Sequence, residues 1–394
     1  MANNNFDILI IGGSFAGLTT SLALAQISSN IKIAIVEKTD IKNNNRQSDG
    51  RGYAISSSSL KFFQEIGIYD RLQENAGKIE DIKISDSDSP FILDFFGSQV
   101  DKKNKQLGQI IESYHIHNAL RDKVLQTKNI TIFCPHSYKE VKFEDCCKII
   151  LNNNQELHAK LILACDGRFS KLREKFQIHT IVKKYQQTAI VFDIEHQNPH
   201  NNVAYEKFYN TGPLAILPLK QQNKSSIVWI VQSKDLEAYL ALDELNFINQ
   251  LSKKINNDVG KIKNISQKFS YPLTLVEASQ FYHQKMLLIG DAACGVHPIA
   301  GQGFNLAISS IQILQKLIKE NLLNGLDLDS QNLIDQFNSK ARFNCQKMAI
   351  ATDILNSLFE NKNITLSISR KIGLSLVNKI PKLKKIFIKS AGGC

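Results

Sequence analysis

The 394-residue chain predicts an α/β protein in which one doubly wound domain is interrupted by an inserted α+β domain and followed by a helical segment. Three observations carry this. Apolar strands alternate with helical runs up to about residue 175, the pattern of parallel strands covered by helices. From about 176 to 281 strand-like stretches follow one another directly. The apolar stretch Met286 to Ile289 then resumes the first pattern, and from Ser309 onward the periodicity is helical to the end. The expected boundaries are 1–175 with 282–330 for the discontinuous first domain, 176–281 for the insert and 331–394 for the C-terminal helices.

Phe6 to Ile11 is an apolar strand, Gly12-Gly13-Ser14-Phe15-Ala16-Gly17 a tight turn and Leu18 to Ile27 a helical run. A second strand, Ile31 to Val36, ends in Glu37. A glycine-rich first turn with an acidic residue about twenty positions beyond it is the dinucleotide arrangement, with pyrophosphate on the helix N-terminus and the carboxylate on a ribose. Ser14 stands where a second glycine is usual. Asp49-Gly50-Arg51 leads into a small-residue run and the helix Leu60 to Ile66, and Leu107-Gly108-Gln109-Ile110-Ile111-Glu112 precedes another helix.

After the strand Leu161 to Leu163 comes Ala164-Cys165-Asp166-Gly167-Arg168-Phe169-Ser170-Lys171-Leu172-Arg173, in which Asp-Gly reads as a turn and Ser170 as a helix cap. The insert offers the strands Ala189 to Ile194, Val203 to Tyr209, Leu214 to Leu219 and Ser226 to Gln232, then a helix from Leu236 to Ile255. Trp229 reads as core. Pro213, Leu214 and Ile216 either line an aryl pocket or pack the sheet.

The stretch LLIGDAACGVHPIAGQGFNL, Leu287 to Leu306, is the most informative. A carboxylate at a strand tip, Asp291 after Gly290, suits sugar or ribityl hydroxyls. Gly301-Gln302-Gly303 lets backbone approach a flat ligand, because no Cβ intervenes. The helix that follows points its positive end at a ring that becomes anionic on reduction, as a flavin does. His297 reads as a structural residue of this loop.

Together the three strings resemble, in order and spacing, the fingerprints of the flavoprotein aromatic hydroxylases, and GDAACGVHPIAGQGFNLAI is similar to the ubiquinone-biosynthesis hydroxylases (the UbiH/UbiF group). The resemblance runs from Phe6 to Gly393, taking in Arg342, Thr352-Asp353 and Ala391-Gly392-Gly393. It departs at Ser14, at Cys294 where Gln or His is commoner, and at Ser310 where an acidic residue is usual. It implies a Rossmann-like FAD-binding domain. Gly12, Gly13, Ser14, Ala16, Gly17 and Glu37 would hold the ADP half, Arg51 would contact FAD from its loop, and Asp166 and Gly167 would sit near the pyrophosphate. Gly290 and Asp291 would bind the ribityl chain or the pyrophosphate. Pro298, Gly301, Gln302 and Gly303 would face the isoalloxazine as the catalytic loop, with Asn305 behind them. The implied reaction is hydroxylation of a prenylated phenol by O2 through a flavin 4a-hydroperoxide, with electrons from NAD(P)H or another donor. The cofactor carries that chemistry, so no Ser/His/Asp constellation is required. A monooxygenase of a small soluble aromatic and a flavin-bound non-catalytic subunit of a biosynthetic complex stay open.

Hydrophobic residues make up 43% of the chain, enough for one large core or two modest ones. No apolar run approaches the roughly 18 residues of a membrane-spanning helix. The first strand starts at Phe6, so a cytoplasmic protein without a leader is expected. Seven cysteines, with no C-x-x-C or Cys/His ligand spacing, lead us to expect neither disulfides nor a structural metal. After Glu360 there is no acidic residue, while Lys362, Arg370, Lys371, Lys379, Lys382, Lys384, Lys385 and Lys389 interleave with apolar side chains such as Leu383 and Ile386. Such a segment suits peripheral contact with an anionic membrane surface. No nucleic-acid module is evident.

Overall fold

Ile8 to Ile11, Ile33 to Val36 and Leu161 to Ala164 are aliphatic runs almost wholly shielded from solvent. Runs of this kind form strands covered on both faces. In the computed structural model, which describes residues 4–86, 92–99, 106–256, 258–296 and 301–360, they build a parallel sheet. Strand Asn5–Ile11 lies between Ile33–Val36 and Glu156–Ala164, and Ile130–Phe133 and Met286–Leu288 continue the set outward. Helix Phe15–Ala25 packs against both Ser113–Leu125 and Gln302–Leu323.

The second sheet is antiparallel. Thr180–His196, Lys224–Gln232, Gly212–Pro218 and Val203–Tyr209 pair in that order, and Phe269–Ala278, which the sequence reading did not anticipate, flanks Thr180–His196. The expected helix Leu236 to Ile255 is broken. Leu236–Leu240 stops, and Asp243 restarts the chain by accepting the Asn246 N–H at 2.8 Å, as an N-cap does. Phe247, Leu251 and Ile255 recur at helical spacing and cover the outer face of the sheet, where Ile190, Phe192, Leu214, Ile216 and Ile227 surround Trp229. Trp229 is core, as expected.

Three further expectations are corrected. Strands Asp81–Asp86 and Ile92–Phe96, read as part of the first α/β pattern, join the second sheet, the former in parallel with Val203–Tyr209. Local alternation does not report which partner a strand will choose. The C-terminal helicity, which opens at Gln302 as the Gly301-Gln302-Gly303 turn implied, is not continuous: it breaks after Leu323 with Gly325 in the left-handed region (φ 70°) and resumes as Gln331–Glu360. Ser310 fits inside the first of these helices, bonding its hydroxyl back to Leu306 O at 3.1 Å. Finally, Cys294 and Cys345 form a disulfide, their Cα atoms 6.2 Å apart. Nothing in their spacing of 51 residues announced it; the long helix simply lies across the strand that carries Cys294.

A small third sheet, Gly52–Ser56 with Gly108–Glu112 and Gly77–Ile79, sits between the other two. The basic segment after Glu360 lies outside the described residues. Among the described residues no helix is long and apolar enough to cross a membrane.

Candidate active site

The three fingerprints meet because their strands end together: Ile11 pairs with Ala164, and Ala164 with Leu288. The C-terminal ends of neighbouring parallel strands are where open α/β sheets bind ligands.

At the first turn Gly12 has φ 105°, and a Cβ there would stand 2.4 Å from Cys165 O. A Cβ on Gly17 would stand 1.8 Å from Gly12 O. Backbone is packed on backbone, so only glycine fits. Ser14 occupies the N-cap of Phe15–Ala25 without capping it, and the first turn holds no acidic side chain. The helix therefore presents amide N–H groups and its positive end, an anion site. Ser14 Oγ instead accepts from Arg46 Nη1 at 3.3 Å, and the guanidinium lies 5.0 Å over Phe15. His117 packs edge-on to Phe15 at 5.7 Å, and its buried Nδ1 has no partner. Burial first, then the Arg46 charge, push His117 down to about 4, so the imidazole is neutral. Glu37 is fixed at its expected place. One oxygen accepts the Gly13 N–H at 2.6 Å and the other the Thr39 N–H at 2.9 Å.

In the second fingerprint Asp166 accepts the Leu172 N–H at 3.2 Å and Ser170 the Arg173 N–H at 3.0 Å, so both side chains cap the short helix Lys171–Lys175. Asp166 Oδ1 remains buried without a partner. Around a Cβ at Gly167 (φ 84°) there would be open space. Arg173, almost fully buried, donates to Ala292 O at 2.7 Å and Arg168 O at 2.8 Å. Arg168 donates to Asp291 Oδ2 at 3.1 Å and to Thr274 O at 3.1 Å. The two arginines thus join the second fingerprint to the third.

Gly290 is left-handed (φ 63°), with Ala16 Cβ 3.0 Å from where its own Cβ would be. Asp291 beside it is 42% exposed, open enough to meet a ligand while Arg168 holds one oxygen. Gly301 adopts φ 64° and ψ 22° at the N-cap of Gln302–Leu323, a helix start with no capping side chain and no acidic residue. Among the described residues a Cβ at Gly303 would meet Val296 Cγ2 alone, at 3.6 Å, an ordinary contact distance. Asn305, expected among the cofactor contacts, works as a staple: its Oδ1 accepts from Ser56 N at 3.1 Å and Ser59 Oγ at 2.9 Å, and its Nδ2 donates to Ala54 O at 2.9 Å. Pro298 and His297 lie outside the described residues.

Arg51 lies between the rings of Tyr53 and Tyr271, 5.8 and 5.3 Å from their centroids, and bonds Asp49 through Nε at 3.0 Å. Asp49 also accepts from Arg46 at 3.2 Å and Ser113 at 2.5 Å. Against its burial, the Arg51 and Ser113 bonds hold the Asp49 carboxyl down at about 2. Of the three pocket candidates, Leu214 and Ile216 belong to the outer core with Trp229, and alternation leaves Pro213 on the inner face.

Sequence reading missed Arg46, His117, Tyr53 and Phe304, the last two stacked at 4.5 Å beside the flavin-type loop. It also passed over the roles of Arg168 and Arg173. Those two stood inside a string already singled out; Arg46 and His117 reach the first turn only through the fold.

An uncapped helix start behind a glycine turn, buried orphan nitrogen and oxygen atoms, and an exposed carboxylate at a third strand tip fit FAD and define an FAD-dependent oxidoreductase. The chain matches the model of the FAD binding domain family over residues 5–351. It is 30% identical to the ubiquinone hydroxylase UbiL of Rhodospirillum rubrum over 390 residues, which cover 98% of this chain and 89% of that protein. It is also 30% identical to the ubiquinone hydroxylase UbiM of Neisseria meningitidis, covering 98% and 84%. Its fold is similar to that of p-nitrophenol 4-monooxygenase PnpA from Pseudomonas putida, with a TM-score of 0.81 at 13% identity over 99% of each chain. The chain belongs to the FAD binding domain family and, within it, to the ubiquinone hydroxylases, which are FAD-dependent aromatic hydroxylases.

Proposed function

We propose that this chain hydroxylates the ring of a prenylated phenol on the way to ubiquinone, with O2 as co-substrate. The inner face of the antiparallel sheet carries the reading. Glu206, Ala215, Val228 and Val191 run across it in register, and Leu217, Ser226 and Asp193 form the next row. Between the acidic ends the floor is small and apolar, and these rows carry no basic side chain. Ala54 and Ile110 of the small sheet close over Leu217 and Ala204, and Ala54 lies beside Gly301. An aromatic acid would need a cation on this floor. The nearby cations, Arg51 and Lys224, are paired with Asp49 and Glu195. A prenylated phenol asks for the apolar surface instead.

The turn Gly12 to Gly17, with Arg46 and His117 beside it, would hold the pyrophosphate. Glu37 would reach the adenosine ribose, Asp291 the ribityl chain, and Gly301 to Gly303 the ring. When bound, FAD supplies the activation of O2 and delivers one oxygen atom to the substrate. The protein supplies position, dryness and the positive helix end at Gln302. The electron donor in this proposal is NAD(P)H or a separate reductase. The basic segment after Glu360 supplies a peripheral membrane contact, and the protein works beside other ubiquinone-forming enzymes.

Mass spectrometry of lipid quinones from cells lacking the gene tests the reading. A prenylated phenol one oxygen short of ubiquinone should accumulate and disappear on complementation. An unchanged quinone profile alongside accumulation of a soluble aromatic would reject it.

A further inference from the structure

A pair of carboxylates closes one end of the apolar floor. Glu112 ends the strand Gly108–Glu112 directly opposite Gly52. A Cβ on Gly52 would stand 3.4 Å from Ser226 Oγ, and Ser226 pairs with Asp193 across the second sheet. The carboxylates therefore converge where the small sheet lies on the inner face, with a glycine leaving room between them. Ser226 is fully buried, and its Oγ, beside the Asp193 carboxylate, makes no geometrically complete hydrogen bond among the described residues. An orphan of that kind is costly and calls for a group that completes it. Glu112 occupies the N-cap of Ser113–Leu125, yet its side chain caps nothing, and it stays 25% exposed.

We propose that Glu112, flanked by Asp193 and Ser226, receives the hydroxyl of the phenolic substrate and takes up its proton. This rests on the aromatic-hydroxylase reading above. In the step, the substrate O–H bond breaks and an O–H bond forms on the Glu112 carboxylate. The negative charge passes to the phenolate oxygen, which accepts a hydrogen bond from Ser226, and no electrons are lost or gained overall. A phenolate ring is richer in electrons at the carbon that receives oxygen. The proton returns to the phenol oxygen as product leaves.

The groups facing Glu112 are Asp193 and Lys224 from the second sheet and Tyr114 and His115 from its own helix, the last at 3.8 Å. Burial first, then the Asp193 charge, push Glu112 up to about 7, while Lys224 pulls the other way. Burial likewise raises Asp193, against the Ser226 hydroxyl and the Lys224 charge, and lowers His115. A base near neutrality is well matched to proton transfer from a phenol.

The test uses the full FAD-loaded chain and 2-farnesyl-4-nitrophenol, whose phenolate is coloured. The native enzyme should bind the probe as phenolate, and kcat/KM for a prenylated phenol should rise with pH through about 7, because the base must be ionised. Glu112→Gln should keep its FAD and its Tm, bind the probe as neutral phenol, lose the rising limb and lower kcat by about 100-fold. Asp193→Asn removes the neighbouring negative charge and should move the limb to lower pH, which a merely structural Glu112 would not allow. An unchanged probe colour and pH profile in Glu112→Gln would overturn the proposal and leave the phenol reading standing. A native, FAD-replete enzyme that binds no prenylated phenol would overturn that reading and the proposal with it.

Discussion

The parallel and antiparallel sheets place their constraints on opposite parts of the residue. At the C-terminal ends of the parallel strands what matters is the absence of side chains: Gly12 and Gly17 bring backbone against backbone with no room for a methyl group. In the antiparallel sheet the outer face is filled to exclusion around Trp229, while the inner face offers Ala215, Val228 and Val191 as a shallow floor. The cofactor edge is therefore rigid in its backbone, the outer face rigid in its volume, and the inner face free to vary. Substrate preference can drift within such a fold without threatening FAD binding.

The comparison breaks most visibly at Gly17→Ala. Its methyl group would fall 1.8 Å from Gly12 O, and the backbone must move, at a cost on the order of 3 kcal/mol or more. The purified protein should be colourless; full flavin absorbance would show that the turn is more pliant than drawn. Trp229→Ala empties the outer core and should cost about 3–5 kcal/mol of stability. The molecules that remain folded should bind FAD with unchanged affinity, as titration of flavin fluorescence can show. If affinity fell in step with Tm, the two sheets would be energetically one. Gly303→Ala has the smallest effect on the fold. The chain accommodates the methyl at 3.6 Å from Val296, and alanine is the better helix former, so Tm should move by less than about 1 kcal/mol equivalent. Turnover should still drop, because in the proposed site the ligand takes that space. Full activity in this variant would remove the loop's Gly303 from the site.

What was legible beforehand follows the same division. The turn Gly12 to Gly17, Glu37 and the tip Gly290-Asp291 could be read because each is a local string whose chemistry depends on residues a few positions apart. Trp229 was legible as core, whereas the sequence left Leu214 and Ile216 open between pocket lining and packing, and their place beside Trp229 came from the sheet. The staple made by Asn305 was not legible, since nothing local says that its amide reaches Ser56, Ser59 and Ala54, about 250 residues earlier. The Cys294–Cys345 bridge, His117 over the first turn and the migration of Asp81–Asp86 into the second sheet were invisible for the same reason. Each is a meeting of distant segments that only the packed chain creates.

That migration of Asp81–Asp86 and Ile92–Phe96 has a practical consequence for anyone who would transplant substrate preference between relatives. The second sheet is not a cassette on two hinges. The thread leaves the parallel sheet, lends two strands to the other, passes through Gly108–Glu112 of the small sheet, returns for Ile130–Phe133 and Glu156–Ala164, and departs again at Thr180. A chimera spliced only at the ends of 176–281 would set a foreign floor against a native border strand, with mismatched register along Val203–Tyr209. A working graft has to carry the earlier hairpin with it.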